Sequence, residues 1–181
     1  MTIIQTERLI LRPLEMSDLP RWTELMCDPQ SAQFVGGAKT PNLAWRSFMA
    51  VAGAWSLTGA SMFSLIERSS GRWVGRCGPW FPEGWPDREI GWSLHPDATG
   101  NGYATEAGHA AIRFAFEELG WEQLIHVIDP DNQASIRVAE RLGSQAWGPC
   151  QMPPPFQDAP CAMWGQTREQ WLRASTSSQY Q

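Results

Sequence analysis

The sequence predicts an α+β fold in which a central mixed, mostly antiparallel sheet is flanked by helices. Three observations point there. Apolar residues recur at helical spacing in several separate stretches, and between them the period shortens to that of strands. The two kinds of segment interleave without any repeat. The length of 181 residues suits one sizeable core.

Taken in order, Ile4 to Leu14 is rich in Leu and Ile, is closed by Pro13, and reads as a first strand. Ser17 is a candidate cap for a helix over "SDLPRWTELMCD", which gathers Leu19, Trp22, Leu25 and Met26 on one side. After the loop "VGGAKTPN", a second helix spans Leu43 to Leu57. Three short strands follow in "SMFSLIER", "GRWVGRCGPW" and "REIGWSLHP". The turn "SSGR" joins the first two, and the loop "FPEGWPD" joins the second to the third. A glycine turn then opens a long helix that ends at Gly120. "QLIHVID" is a strand, Asn132 to Leu142 is a helix closed by Gly143, and "SQAWGP" and "CAMWGQ" are two closing strands. A proline-rich loop separates them. No internal linker interrupts the chain, so residues 1–173 read as a single domain and 174–181 as a loose polar tail.

Hydrophobic residues make up 43% and charged residues 18%, an ordinary soluble composition. The net charge is −5, and no run of Lys or Arg occurs. Nucleic-acid binding needs clustered cations, so a nucleic-acid partner is not expected. The first twelve residues mix acid and base and hold no long apolar run, which argues against a signal peptide or a membrane span. Cys27, Cys77, Cys150 and Cys161 form no CxxC or CxxH pair, so a metal site is not expected. All four read as reduced thiols in a cytoplasmic protein, monomeric or homodimeric. The eleven tryptophans are more readily core and loop anchors than a ligand box, taken singly.

The stretch "HPDATGNGYATEAGHAAIRFAFEELG", from His95 to Gly120, carries the chemistry. A helix start presents N–H groups without intrahelical acceptors and a partial positive charge. Glycines directly before it let an anion approach the backbone with no Cβ in the way. Gly100, Asn101, Gly102, Tyr103 and Ala104 fit such a phosphate cradle, and Thr105 adds a hydroxyl. The dinucleotide fingerprint needs a third glycine where Thr105 stands, and the P-loop lysine is absent. Spacing alone leaves phosphate binding and a plain loop-to-helix junction equally open.

Resemblance adds to this. "EIGWSLHPDATGNGYATEA" resembles the acetyl-CoA signature of the GNAT acetyltransferase superfamily, in which [QR]-x-x-G-x-[GA] follows a strand. Its six positions correspond to Thr99, Gly100, Asn101, Gly102, Tyr103 and Ala104. "DPDNQASIRVAERLG" resembles the second half of the signature, and "TERLILRPLEMSDLP" with "GYATEA" resembles the RimJ/RimL-like branch. The resemblance implies a GNAT-like fold, acetyl-CoA as cosubstrate, and transfer of its acetyl group to an amine attacking directly in a ternary complex. It implies CoA contacts from Leu94, Thr99 through Thr105, Asn132 and Ser135. Two positions depart from the pattern. Thr99 replaces the usual Gln or Arg, and Ser144 follows Gly143 where an aromatic is usual.

Alternation places Glu89, Gly91 and Ser93 on one side of their strand, opposite Ile90, Trp92 and Leu94. A carboxylate on an otherwise apolar strand is costly. Glu89 is therefore the candidate base, against the plainer reading of an ion pair with Arg88 or another surface cation. Many family members carry a tyrosine acid where Ala139 stands, so Ser135 is the substitute acid, with helix capping by Asn132 and Ser135 as the structural alternative. His95, His109 and His126 are weak candidates. Trp80, Phe81 and Trp85 could wall the acceptor pocket, or fold their loop onto itself. The acceptor is a small-molecule amine or a peptide N-terminus. Two rivals stand beside the enzyme: a non-catalytic acyl-CoA-binding sensor on the same fold, and a nucleotide-binding enzyme using the same glycine turn.

Overall fold

The computed structural model describes residues 2–177. Its centre is an eight-stranded sheet in the order β1-β2-β3-β4-β5-β6-β8-β7, with β5 and β6 the one parallel pair among the described strands. The strands are β1 (Ile4–Gln5), β2 (Leu9–Arg12), β3 (Phe63–Glu67), β4 (Trp73–Trp80), β5 (Glu89–Leu94), β6 (Gln123–Ile128), β7 (Gln145–Pro149) and β8 (Ala162–Thr167). The helices are α1 (Leu19–Cys27), α2 (Pro29–Ala32), α3 (Pro41–Thr58), α4 (Tyr103–Glu117), α5 (Gln133–Arg141) and α6 (Arg168–Ser177). The expected α+β architecture is present, with the mixed sheet flanked by helices.

Each face of the sheet carries its own core. On one, α4 lays down Ala107, Ala111 and Ala115, all at zero exposure, against Cys77 and Ile90. Small side chains let this helix lie close to the strands. On the other face α1 and α3 bury Trp22, Leu25 and Phe48 against Met62 and Trp73. Trp22, Trp55 and Trp73 serve as core anchors with satisfied N–H groups. Trp22 Nε1 donates to Ala44 O at 3.1 Å, Trp55 Nε1 to Met62 O at 2.9 Å, and Trp73 Nε1 to Ser64 Oγ at 3.0 Å.

Several local expectations need correction. Ile4–Leu14 is two short strands, paired with Ile4 opposite Leu11, because the chain turns back where Thr6 N–H meets Leu9 O at 2.9 Å. Ser17 caps nothing: it lies inside a 3₁₀ turn, Met16–Asp18, whose capping box joins Glu15 and Asp18. Helices α2 and α6 were not foreseen. Of the tail expected to be loose over 174–181, residues 174–177 are helical in α6 and the rest lies outside the described residues. Cys150 and Cys161 are a disulfide pair with Cα atoms 5.6 Å apart, not two reduced thiols. Register explains it, since Pro149 pairs with Ala162 and so brings the next residues together at the base of the proline-rich loop. Cys27 and Cys77 are free.

Asp18, 3% exposed, ties the 3₁₀ turn to strands β2 and β3. It accepts from Arg12 Nη1 and Nη2 at 2.8 Å each, from Ser64 Oγ at 2.7 Å and from Glu15 N–H at 3.0 Å. Burial opposes its charge, but the Arg12 fork and the two further donors outweigh burial and hold the carboxyl below its usual value. Removing one member of such a buried pair strands the other. Asp18→Ala is expected to lose about 3–5 kcal/mol in urea unfolding. A loss below about 1 kcal/mol would show that the pair is weaker than its geometry implies.

Candidate active site

Strands β5 and β6 share one register pair, Glu89 opposite Ile125, and no further pair joins them. Beyond it opens a cleft of about 760 Å³, walled by the α2–α3 segment, the sheet, the start of α5 and the proline-rich loop. Glu89 is at its floor, 8% exposed. Trp85 Nε1 donates to Glu89 Oε2 at 2.6 Å, and Val127 N–H donates to Oε1 at 3.2 Å. The expected alternative, an ion pair with Arg88, is not formed; Arg88 lies over the Trp121 ring instead. Burial is the main influence on Glu89. It raises the carboxyl to about 7 against the opposing pull of Trp85, Val127 and Arg76. A base with that value is half-ionised at neutral pH.

Asn132 and Ser135 line the same cleft. Asn132 Oδ1 accepts from Ser135 N–H at 3.1 Å, so Asn132 is the N-cap of α5. That bond uses the backbone N–H of Ser135, not its hydroxyl. Ala139 is fully buried one turn further on.

At the end of β5, Leu94 pairs with Gly75, and the chain then turns through Pro96–Ala98 into the glycine turn. Thr99 Oγ1 donates to Pro96 O at 2.9 Å, and Asn101 Nδ2 donates to Ala98 O at 3.2 Å. Gly100 and Gly102 both have φ +78°, a left-handed conformation that side chains resist. A Cβ on Gly100 would meet nothing within 4 Å, so the turn is open to an incoming group. The α4 ladder begins with Glu106 N–H to Gly102 O at 3.1 Å. The N–H groups of Tyr103, Ala104 and Thr105 lie ahead of it, without intrahelical acceptors. This backbone fits a pyrophosphate, as the signature implied.

Of the expected aromatic wall, Trp80 and Trp85 line the cleft, and Trp85 meets Phe156 edge-on at 6.5 Å. Phe81 does not. It follows Trp80 along the chain, so alternation sends it to the other face, edge-on to Trp121 at 5.5 Å. His95 lies outside the cleft, with Nε2 3.2 Å from Glu24 Oε2 and Nδ1 2.9 Å from Asp97 Oδ1. His109 is on α4, away from the cleft lining. His126 is fully buried and depressed to about 4 by desolvation, so it is neutral at pH 7. Its Nδ1 bonds Ile90 O at 2.6 Å, its Nε2 meets Ser144 Oγ at 2.9 Å, and Gln166 Nε2 also donates to that hydroxyl at 2.9 Å. Ser144, the departure from the family pattern, is therefore one member of a buried polar chain.

The sequence reading missed three side chains. Arg8 stands at the glycine turn, bonded to Asn101 O at 2.8 Å and paired with Glu106 at 2.7 Å. Its contact comes from the turn between β1 and β2, far away in sequence, and no local signal marks it. Arg76 and Lys39 line the cleft near Glu89. Arg76 was findable, because the argument that singled out Glu89 applies equally to a cation on a strand of apolar residues.

The family model for the acetyltransferase (GNAT) domain matches residues 8–145. The chain belongs to the GNAT acetyltransferase family. Acetyl-CoA is the cosubstrate of GNAT enzymes, and of this one. The chain is 28% identical to the N-acetyltransferase p20 of Bacillus licheniformis over 82% of its length and 85% of that protein's. Against the protein YkkB of Bacillus subtilis it is 38% identical over 47% of its length, about half (51%) of that relative. Among solved structures, the acetyltransferase of Agrobacterium tumefaciens C58 superposes with a TM-score of 0.83 at 29% identity, covering 93% of this chain and 95% of that one.

The raised Glu89 carboxyl makes this GNAT chain's stability depend on pH. In the unfolded chain the group loses its proton near pH 4.3, but in the fold only near 7. The stability contributed by the neutral form is therefore complete below about 4.3 and lost as pH rises through about 7. Glu89→Gln cannot ionise. Its Tm relative to the parent is expected to climb between pH 4.5 and 7.5 in calorimetry. A constant difference would mean that Glu89 titrates normally.

Proposed function

We propose that this enzyme is an N-acetyltransferase that moves the acetyl group of acetyl-CoA to a primary amine attacking directly in a ternary complex. The observation that carries the reading is Glu89: a buried carboxyl, raised to about 7, on the floor of the cleft that also contains the first turn of α5. Acetyl-CoA supplies the activated acyl carbon. The glycine turn from Thr99 to Ala104, with Thr105, Leu94 and Asn132, holds it. Arg8 adds a cation at the turn. Glu89 takes the proton of the acceptor ammonium, directly or through one water, and frees the attacking lone pair. Ser135 donates to the departing sulfur, aided by the α5 N-terminus. That help is modest, because a thiol has a pKa of only about 8.5 and its anion leaves readily. Trp80 and Trp85 wall the acceptor.

The wording of "TERLILRPLEMSDLP" and "GYATEA" supports the RimJ/RimL-like branch. Residues 1–173 are read as one catalytic domain with 174–181 as its tail. Among the described residues no helix is long and apolar enough to cross a membrane. The cytoplasmic location expected from reduced thiols loses that support, because Cys150 and Cys161 are paired.

The test is Glu89→Gln in an amine-panel assay. Turnover is expected to fall about 10²- to 10⁴-fold while CoA affinity is kept, and the acidic limb of the parent's rate profile, centred near pH 7, should disappear. Parent-level turnover in the variant would remove Glu89 from the chemistry. CoA binding without acetylation of any amine would turn the reading to a non-catalytic acyl-CoA sensor.

A second expectation concerns Gly102, at φ +78° with Arg8 Nη2 3.4 Å from where a Cβ would stand. Gly102→Val is expected to keep its circular dichroism spectrum and lose more than about tenfold in CoA affinity by calorimetry, since a branched side chain blocks the backbone approach. Unchanged affinity would take the turn out of cofactor binding.

A further inference from the structure

The cleft holds two cations, Arg76 and Lys39, that form no ion pair with a carboxylate among the described residues. Arg76 is on β4, opposite Ser93, on the same face as the Trp80–Glu89 pair. Its guanidinium lies over the Trp22 ring at 4.7 Å, which orients the planar group. Its Nε is shielded from solvent and has no hydrogen-bond partner, and among the described residues no carboxylate pairs with it. Burial depresses it to about 10 despite the attraction of Glu89. Lys39, half-buried at the α2–α3 segment, directs Nζ to Val35 O at 3.3 Å and Gly37 O at 3.5 Å. Burial, and then the charge of Arg76, lower it as well. A chain of net charge −5 thus keeps two mutually repelling cations in one half-buried wall, with no carboxylate paired to either among the described residues.

The rest of the cleft has the opposite character. Glu89 is at its floor, and Asp129 lines it where β6 ends. Between Arg76 and Trp80 on β4, and between Ser93 and Glu89 on β5, stand Gly78 and Gly91, which are register partners. Met62 Cε packs over Gly91, 2.9 Å from where a Cβ would stand, so a thin apolar cover rather than a charged or polar side chain separates the two charged ends. The cleft is therefore polarised along the strands, with a proton acceptor at one end and a forked cation at the other.

We propose that the acceptor is an amine that itself carries a carboxylate, an amino acid or a close analogue, with its carboxylate held by Arg76 and Lys39 and its amine presented toward Glu89. The inference rests on the acetyltransferase reading and narrows it. A planar guanidinium with free donors matches a carboxylate in two parallel hydrogen bonds, and Lys39 adds a point charge. Trp80, Trp85 and Phe156 take the apolar body. A polyamine or an aminoglycoside would instead set further positive charge against Arg76, a direct electrostatic penalty.

The experiment uses the full chain with acetyl-CoA and matched acceptors: amino acids with apolar, aromatic and acidic side chains, each beside its carboxamide and its decarboxylated amine, with spermidine as the polycation. The acids are expected to exceed their carboxamides by about ten- to a hundredfold in kcat/KM, the range of a charge-assisted hydrogen bond. Arg76→Met should bring that ratio close to one with CoA affinity unchanged, and Arg76→Lys should keep part of it. Should Arg76→Met fail to fold, the parent enzyme carries a second readout. N-acetyl amino acids should inhibit competitively against the amine, and their carboxamides should not. Carboxamides, spermidine or peptide amides acetylated as well as the free acids would overturn this proposal and leave the acetyltransferase reading standing. CoA binding with no amine acetylated, and no stabilisation of the CoA complex by any acid, would overturn both.

Discussion

The site depends on one event in the sheet: β5 and β6 begin as a parallel pair at Glu89 and Ile125 and then part. Parting leaves backbone groups that a continuing ladder would have satisfied, and buried backbone groups need partners. The protein supplies them from side chains. Val127 N–H donates to the Glu89 carboxylate, and Ile90 O is met by the His126 ring. The fork is thus held open by the residue proposed as base and by a histidine kept neutral. The His126 ring also lies against Trp92, with centroids 4.8 Å apart, so the gap between the strands is filled behind the cleft. Ser144, directly before β7, and Gln166, on β8, complete the chain. A serine where the family pattern favours an aromatic fits here, because His126 needs a polar partner at that place.

The same apolar surroundings act on opposite charges in opposite directions. Desolvation raises Glu89 and lowers Arg76 and Lys39, in each case toward the neutral form. Their mutual field resists this, since Arg76 favours ionised Glu89. A cleft built this way is sensitive to what enters it. A carboxylate beside Arg76 would cancel the cation's pull on Glu89 and make the base stronger when the right substrate is bound. Trp22 underlies this balance, because its ring supports Arg76 while its own N–H ties α1 to α3.

Much of this was legible from local sequence. The glycine turn is a local device: φ +78° at Gly100 and Gly102 is what glycine permits, and the helix behind it follows from its alanine face. Glu89 was legible because charge on an apolar strand is costly wherever that strand packs. Asn132 was legible as a cap. What could not be read depends on distant register. Cys150 and Cys161 pair because β7 and β8 align Pro149 with Ala162, and Arg8 reaches the glycine turn from the far end of the chain. Ser17 misled because Asp18, its neighbour, is bound by Arg12, which fixes that turn by tertiary contact. Phe81 was a missed alternation: with Trp80 facing the cleft, the next residue faces away.

The missing tyrosine at Ala139 is a packing matter as much as a chemical one. Ala139 is fully buried, and the α5 turn it belongs to ends in Gly143 at φ +83°, with Ser144 N–H bonding back to Ala139 O at 3.0 Å. That bond delivers Ser144 to His126. A phenol at 139 would have to displace the packing that seats this terminus, and so would disturb the residue that satisfies His126 and, through it, the fork at Ile90. Proton donation to sulfur is the least demanding part of thioester chemistry near neutral pH. In the proposed mechanism the residue at 139 therefore serves the fork, and the leaving thiolate relies on the first turn of α5, where Ser135 and the partial positive charge of the helix N-terminus lie.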